Sequence, residues 1–178
     1  MRGSKVAKRY ARALLGLSED RGQLEAWGAE LERLARAAAA PEIAGLLAAP
    51  DITHQVRIEA MKKIAERLEL SYPLQSLAVV VARHGRIAEL RAISDSYQAQ
   101  LDELMGRARA TLTFARPPAD HDVAAAVNGL EALARKKIIP TVKVDESLLG
   151  GVVAELEGRI YDGSLAARLD EAQRRLVG

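Results

Sequence analysis

Apolar residues recur three and four positions apart through residues 6–104, the spacing that places them on one face of an α-helix. The pattern is clearest in the second predicted helix, where five residues form one stripe: Leu24, Trp27, Leu31, Leu34 and Ala38. Residues that commonly begin or end helices divide this region into six segments: Gly22, Pro41, Pro50, Thr53, Pro73, Gly85 and Gly106. We therefore predict a six-helix bundle over residues 1–105, because six amphipathic helices can bury their stripes against one another.

The first and fifth predicted helices differ in how their apolar residues are arranged. The first is expected from Lys5 to about Ser18, with a single inward stripe formed by Val6, Tyr10, Leu14 and Leu17. The fifth contains the segment LQSLAVVVARHG, which is apolar on nearly all sides and is therefore expected to lie centrally. It is more apolar than a stripe facing a core requires, so apolar surface is left over for a partner.

Beyond Gly106 the pattern changes to alternation with a period of two, which predicts strands. The segments concerned are RARATLTFA, TVKVD after Pro140, VVAEL, and a brief return at Ile160-Tyr161. A helix capped by Asp120 or Asp122 is expected between the first two strands, and Ser164 is expected to cap a last helix. The whole chain is thus predicted to be mainly α, a six-helix bundle followed by a small α/β module at residues 106–178.

Composition and motifs give no indication of catalysis. The chain has no cysteine, which excludes disulfides, thiolate nucleophiles and cysteine-ligated metal centres. It contains no phosphate-binding glycine loop, no HExxH and no GxSxG, and its three histidines are far apart: His54, His84 and His121. We therefore predict no catalytic residue, no metal site and no cofactor. Arg9 and Arg12 interrupt the apolar part of the N-terminus, so neither a signal peptide nor a transit peptide is expected there.

Charge is spread evenly. The net charge is +2 although the isoelectric point is near 9, and the parts before and after Met105 are each nearly neutral. The only run of three cations, Arg135-Lys136-Lys137, is expected in the last turn of a helix, where the helix dipole favours positive charge. Nucleic-acid binding usually needs a concentrated basic face, so the even distribution disfavours it.

Three segments, taken in order, resemble the delta subunit family of bacterial and chloroplast ATP synthases, called the oligomycin-sensitivity-conferring protein in mitochondria. The opening VAKRYARALLGLSEDRGQLEAW resembles the start of that family, and ARHGRIAELRAISDSYQAQLDE is similar to its Gly-Arg junction between two helices. The stretch VKVDESLLGGVVAELEGRIYDGSLAARL resembles its C-terminal signature. Seven residues carry the signature: Asp145, Leu149, Gly150, Gly151, Asp162, Gly163 and Ser164. Two positions depart from the usual pattern, Leu15 where the family often has Phe and the EGR turn where it often has Gly-Asp.

The resemblance implies a non-catalytic stator subunit that links the catalytic head of a rotary, proton-translocating ATP synthase to its peripheral stalk. It implies that the bundle holds the N-terminal helix of an alpha subunit in a groove between the first and fifth helices. The groove would be lined by Tyr10, Leu14, Leu77, Val80 and Val81. The C-terminal module would engage the end of a b-type stalk subunit. The expected location is the cytoplasmic face of a bacterial inner membrane, peripheral through the complex, and the isolated chain is expected to be a monomer.

Two other classes of protein remain open from the sequence. One is an unrelated helical adaptor with a small α/β module, which would not associate with an ATP synthase. The other is a nucleic-acid-binding protein, suggested by the basic isoelectric point, which would show binding that falls steeply with salt.

Overall fold

The computed structural model describes residues 5–49, 51–148 and 150–163. The chain is mainly helical, and the described residues also form one small four-stranded sheet. This confirms the predicted fold class in its broad form. The chain divides into two compact units, Met1–Leu101 and Asp102–Gly178. The division falls inside a helix and not at the predicted Met105–Gly106 boundary, because Asp102 near the end of that helix bonds to the strand that follows.

Six α-helices precede the first strand, close to their predicted positions. They are α1 (Lys5–Leu15), α2 (Arg21–Ala39), α3 (Pro41–Ala48), α4 (His54–Arg67), α5 (Tyr72–Arg83) and α6 (Leu90–Leu104). Asp20 caps α2 and Thr53 caps α4 through side-chain oxygens that accept backbone N–H groups. Gly85 follows α5 with a φ of +66°, as the sequence predicted. A short 3-10 turn, Ile87–Glu89, leads into α6, which therefore begins later than predicted.

Leucines, alanines and a few other apolar residues form the interior of the helical unit. In α1 the buried residues are Ala7, Ala11 and Leu14, whereas Val6 and Tyr10 are half-buried and Leu17 lies beyond the helix, exposed. The predicted stripe of α1 was therefore rotated from the true one. In α4 the buried residues are Met61 and Ala65. Small side chains let helices approach closely, so alanine can occupy the most enclosed positions.

Three long-range hydrogen bonds connect α2 with the start of α5 and with α6. One carboxylate oxygen of Glu30 accepts hydrogen bonds from the backbone N–H and the hydroxyl of Ser71, at 2.7 and 2.8 Å. It thereby provides an acceptor for a backbone N–H at the start of α5. The hydroxyl of Tyr97 on α6 donates to the carbonyl oxygen of Leu24 at 2.8 Å. Burial of this tyrosine raises its pKa to about 12. Helix α2 is thus connected to the start of α5 by partly buried polar contacts and to α6 by a buried one.

The smaller unit is built on four strands in the order β2-β1-β3-β4. They are β1 (Arg107–Phe114), β2 (Lys137–Val144), β3 (Val152–Leu156) and β4 (Arg159–Asp162). Strand β2 pairs with β1 in parallel, and the other neighbours pair antiparallel. Helix α7 (Asp120–Ala134) connects β1 to β2 and packs its apolar side on the sheet. The alternation predicted for β1 is confirmed, because Ala108, Ala110, Leu112 and Phe114 are all buried.

Three local predictions about this unit were wrong. Ala119 caps α7, and Asp122 instead accepts the N–H of Ala119 through its carboxylate, at 3.2 Å. Strand β2 begins before Pro140, which it accommodates because β2 is an edge strand and a proline there breaks no central ladder. Arg135 caps the end of α7 with a φ of +54°, so the cationic run begins after the last turn of the helix and ends at Lys137, the first residue of β2. Lys136, between them, pairs with Glu157.

Candidate partner-binding surface

The first wall of the predicted groove is the half-exposed side of α1. Tyr10 lies at the edge of the buried stripe, with part of its ring accessible, whereas Leu14 is only 2% exposed. Val6, one turn before Tyr10, is also half-buried. Leu14 is therefore a core residue that supports the wall from behind, and Tyr10 is the predicted residue that can touch a partner.

The second wall is α5, which buries one side and leaves apolar residues on the other. Val81 has no exposed surface and joins Leu74, Ala78 and Ala82 in the core. Leu77 is half-buried, and Val80 is 37% exposed. The structure thus separates the five predicted groove residues into two groups. Tyr10, Leu77 and Val80 have accessible surface, whereas Leu14 and Val81 have essentially none.

A cavity of about 680 Å³ lies where α1 approaches the segment that follows α5. Its walls mix apolar and cationic side chains: Val6, Arg9, Tyr10, Arg12, Ala13, His84 and Arg86. The guanidinium of Arg86 lies 6.0 Å from the centre of the Tyr10 ring, at the outer limit of a cation–π contact. The Nδ1 atom of His84 lies 2.8 Å from the carbonyl oxygen of Val80, which ties this histidine to the last turn of α5.

Sequence reasoning did not find the cationic part of this site. Arg9 and Arg12 are three positions apart on α1 and were treated only as interruptions of an apolar segment. Their i, i+3 spacing could have shown that they lie on neighbouring turns of one helix side. Arg86 and His84 had no such signal, because they come beside α1 only through the turn that ends α5.

The helical unit has a second cavity, of about 560 Å³, with walls formed chiefly by alanines of α2 and α3 together with Arg57 and Leu90. One amino group of Arg57 donates to the carbonyl oxygen of Ala49 at 2.8 Å, while its Nε is buried without a partner in the described part of the chain. This cavity lies away from the predicted groove residues.

The C-terminal signature residues form turns and strand ends. Asp145 accepts the backbone N–H and the hydroxyl of Ser147, and the hydroxyl bond first, then the backbone bond, lowers the pKa of this carboxyl. Gly150 and Gly151 have φ values of +146° and +86°, which residues with a Cβ rarely adopt. Gly163 donates its N–H to the carbonyl oxygen of Val152 at 3.0 Å. These residues shape the end of the sheet, and none of the contacts points to a catalytic role.

Leu149 and Ser164, with the predicted last helix, lie outside the described residues. Across residues 5–49, 51–148 and 150–163, no group of three metal-ligating side chains comes together. In those same ranges, no helix combines the length and the apolar character that crossing a bilayer requires.

Comparison with known proteins identifies the family. The family model described as ATP synthase delta (OSCP) subunit matches residues 6–176. A protein named ATP synthase subunit delta from Citrifermentans bemidjiense is 34% identical over 169 residues, covering 94% of each chain. A protein of the same name from an Anaeromyxobacter species is 32% identical over 172 residues, covering 96% of each.

The fold matches as well. A chain in the cryo-EM structure of the Toxoplasma gondii mitochondrial ATP synthase hexamer superposes with a TM-score of 0.68 at 17% identity, covering 98% of this chain and 99% of that one. At that identity the likeness concerns the fold alone. The family indicated by the three sequence motifs is confirmed by the family model and by these relatives: the chain belongs to the ATP synthase delta (OSCP) subunit family.

Proposed function

We propose that this chain holds two different partners of the ATP synthase, one on each of its compact units. As a member of the delta family it is a non-catalytic stator subunit, which associates peripherally with the complex and links the catalytic head to the peripheral stalk. The helical unit binds the N-terminal helix of an alpha subunit, and the smaller unit binds the end of a b-type stalk subunit. The assembly lies at the cytoplasmic face of a bacterial inner membrane, and the chain alone is a monomer.

The observation that carries the first half is the apolar surface left on α1 and α5. Helices α1–α6 act as one six-helix bundle, in which the buried sides of α1 and α5 face the core. Tyr10, Leu77 and Val80 remain accessible on their other sides. An amphipathic helix laid in a groove needs only such apolar anchors at helical spacing, and no chemistry.

The second half is supported by apolar side chains on the edge strand β2. Val142 and Val144 pair in register with Leu112 and Phe114, so they share the face that α7 covers. They are nevertheless nearly half exposed. An edge strand with uncovered valines is a suitable surface for a stalk helix.

Family membership removes the unrelated adaptor from consideration. A nucleic-acid-binding role is disfavoured because the net charge is only +2 and Lys136, in the one run of three consecutive cations, is paired with Glu157. A stator must resist the torque of a turning rotor, and its two contacts act in series. Losing either contact therefore breaks the link, whatever the strength of the other.

Calorimetry on the full chain tests the division between two partners. We expect Val80→Asp to weaken binding of a synthetic alpha-subunit N-terminal peptide at least about tenfold, or about 1.4 kcal/mol, because a charge is then buried without a partner. Val142→Asp is expected to weaken binding of the C-terminal part of b by a similar factor. Each variant should leave the other partner's affinity unchanged.

Val56→Asp is the matched control, because Val56 is 45% exposed on α4, away from the groove. It should bind both partners as the unchanged chain does. If Val80→Asp and Val56→Asp affect peptide binding equally, the groove between α1 and α5 is not the binding site. Loss of both partners in one correctly folded variant would contradict the assignment of one partner to each unit.

A further inference from the structure

Helix α1 carries only positive charge along its length. Lys5, Lys8, Arg9 and Arg12 lie within Lys5–Leu15, and no Asp or Glu occurs in that range. The segment at the other side of the cavity is also cationic, with Arg83, Arg86 and a histidine between them. The net charge of the whole chain is only +2, so this surface departs strongly from the average.

These arginines have no carboxylate partners within the described ranges. The ion pairs found there lie elsewhere, for example Arg36 with Glu32, Arg91 with Asp95, and Arg107 with Asp102. Arg9, Arg12 and Arg86 instead line the cavity beside Tyr10, and Arg86 is half-buried. Like charges gathered at a partly enclosed surface repel one another, and an anionic partner relieves that repulsion.

We propose that the helix bound between α1 and α5 is acidic on its charged face and that its carboxylates pair with Arg9, Arg12 and Arg86. The inference rests on the proposed function, since it specifies the chemistry of the partner at the same surface. Val6 and Tyr10 receive the apolar side of the helix, and the arginines receive the adjoining charged side. The i, i+3 spacing of Arg9 and Arg12 matches carboxylates three or four positions apart on the partner.

The exposure of each arginine determines how strongly salt should weaken its ion pair. Arg9 and Arg12 are exposed, so their pairs lie in a high dielectric and are screened by salt. Arg86 is half-buried beside Tyr10, so its pair should be stronger and less sensitive to salt. Apolar contact supplies the salt-independent part of the affinity, and the arginines supply orientation and a salt-dependent part.

The test is a titration of the full chain with the synthetic N-terminal peptide of the alpha subunit from the same organism, at about 50 mM and about 500 mM salt, spanning weak and strong screening. We expect the affinity of the unchanged chain to fall severalfold between the two. Replacing Arg9 and Arg86 together by Gln should lower the affinity about tenfold at low salt and much less at high salt. Arg33→Gln, an exposed arginine of α2, is the control and should change neither value.

A second peptide, with its Asp and Glu residues replaced by Asn and Gln, completes a double-mutant cycle. The effects of the peptide change and of the arginine changes should be less than additive, because both remove the same pairs. If the unchanged chain binds the peptide but neither salt nor the arginine variants alter the affinity, the acidic-helix inference is wrong while the groove assignment stands. No binding of the unmodified peptide would overturn both. Tighter binding of duplex DNA than of the peptide would also overturn the inference.

Discussion

Removing the carboxylate of Asp102 should destabilise the smaller unit. This side chain is only 8% exposed, near the end of α6. One of its carboxylate oxygens accepts a hydrogen bond from the Nε–H of Arg107 at 2.8 Å. The other accepts one from the Nε–H of Arg109 at 2.6 Å. The two arginines lie two positions apart on β1, on the face opposite the buried alanines, so a single carboxylate can bridge them.

The expected cost of Asp102→Ala is about 2–3 kcal/mol. Breaking a buried ion pair by removing one partner usually costs about 3–5 kcal/mol, because the other charge is left without compensation. The Arg107 side chain is 18% exposed and would remain largely enclosed, but that of Arg109 is 51% exposed and can turn to water. Because Arg109 can be hydrated after the substitution, the expected cost of Asp102→Ala is below the usual range for a buried ion pair. For the same reason Arg109→Gln should cost less than about 1 kcal/mol.

Urea unfolding followed by two probes can locate the effect. Trp27 is the only tryptophan and is buried in the helical unit, so its fluorescence reports on that unit. Circular dichroism reports on helices and strands of the whole chain. The part of the circular dichroism change that fluorescence does not follow therefore reports on the smaller unit. We expect Asp102→Ala to lower the urea midpoint of that part and to leave the fluorescence midpoint unchanged.

Two outcomes would refute this reasoning. If Asp102→Ala and Arg109→Gln destabilise equally, the enclosed position of Arg107 contributes nothing to the cost. If Asp102→Ala shifts no midpoint, or shifts the fluorescence midpoint alone, the carboxylate does not stabilise the unit to which it is assigned. Asp102→Asn, which keeps the shape and loses the charge, should lie between the alanine variant and the unchanged chain.

Two further predictions concern the helical unit. Glu30→Ala should cost about 1–3 kcal/mol, measured by Trp27 fluorescence in urea, because the N–H and hydroxyl of Ser71 lose their acceptor; an unchanged midpoint would contradict it. Tyr97 is protonated in both states below pH 10, and between pH 10 and 12 only the unfolded chain releases the proton, so stability should fall by up to about 2–3 kcal/mol across that window. Tyr97→Phe loses the hydrogen bond to Leu24 and should also remove this decline in stability with pH. A decline of equal size in that variant would mean that other groups cause it.

The sequence was most informative about where helices begin and end. Thr53 and Gly85 have side-chain or backbone properties that act locally, so their roles could be predicted without tertiary structure. The cap of α7 was assigned to the wrong residue because two aspartates compete in the same turn. Asp122 proved to be the third helical residue, reaching back to the N–H of Ala119.

The faces that the helices bury were harder to predict. Periodicity identifies large apolar residues first, so Val6, Tyr10 and Leu17 were assigned to the inward side of α1. The structure buries Ala7 and Ala11 instead. On α1, alanines at the closest point of contact let the neighbouring helices approach, and Val6 and Tyr10 lie at the margin of that contact. Likewise no single-residue signal predicts Glu30 as the acceptor for Ser71, because that bond depends on tertiary structure.

The resemblance to the delta family assigned the candidate surface to α1 and α5 but could not rank its residues. Leu14 and Val81 satisfy an apolar pattern as well as Tyr10 and Val80 do, and only burial in the folded unit separates them. The cationic side of the surface was missed because it is assembled by the turn after α5, which brings Arg86 to Tyr10 across a large gap in sequence.

The placement of alanines and of larger apolar residues follows from a single physical requirement. A stator subunit needs a core that stays folded under torque. It also needs a surface that binds its partners through noncovalent contacts alone. Ala7 and Ala11 let α1 pack closely while adding little apolar surface of their own. The larger groups of Tyr10, Leu77 and Val80 remain accessible to the proposed partner helix, and burying each of them would contribute more to affinity than burying an alanine.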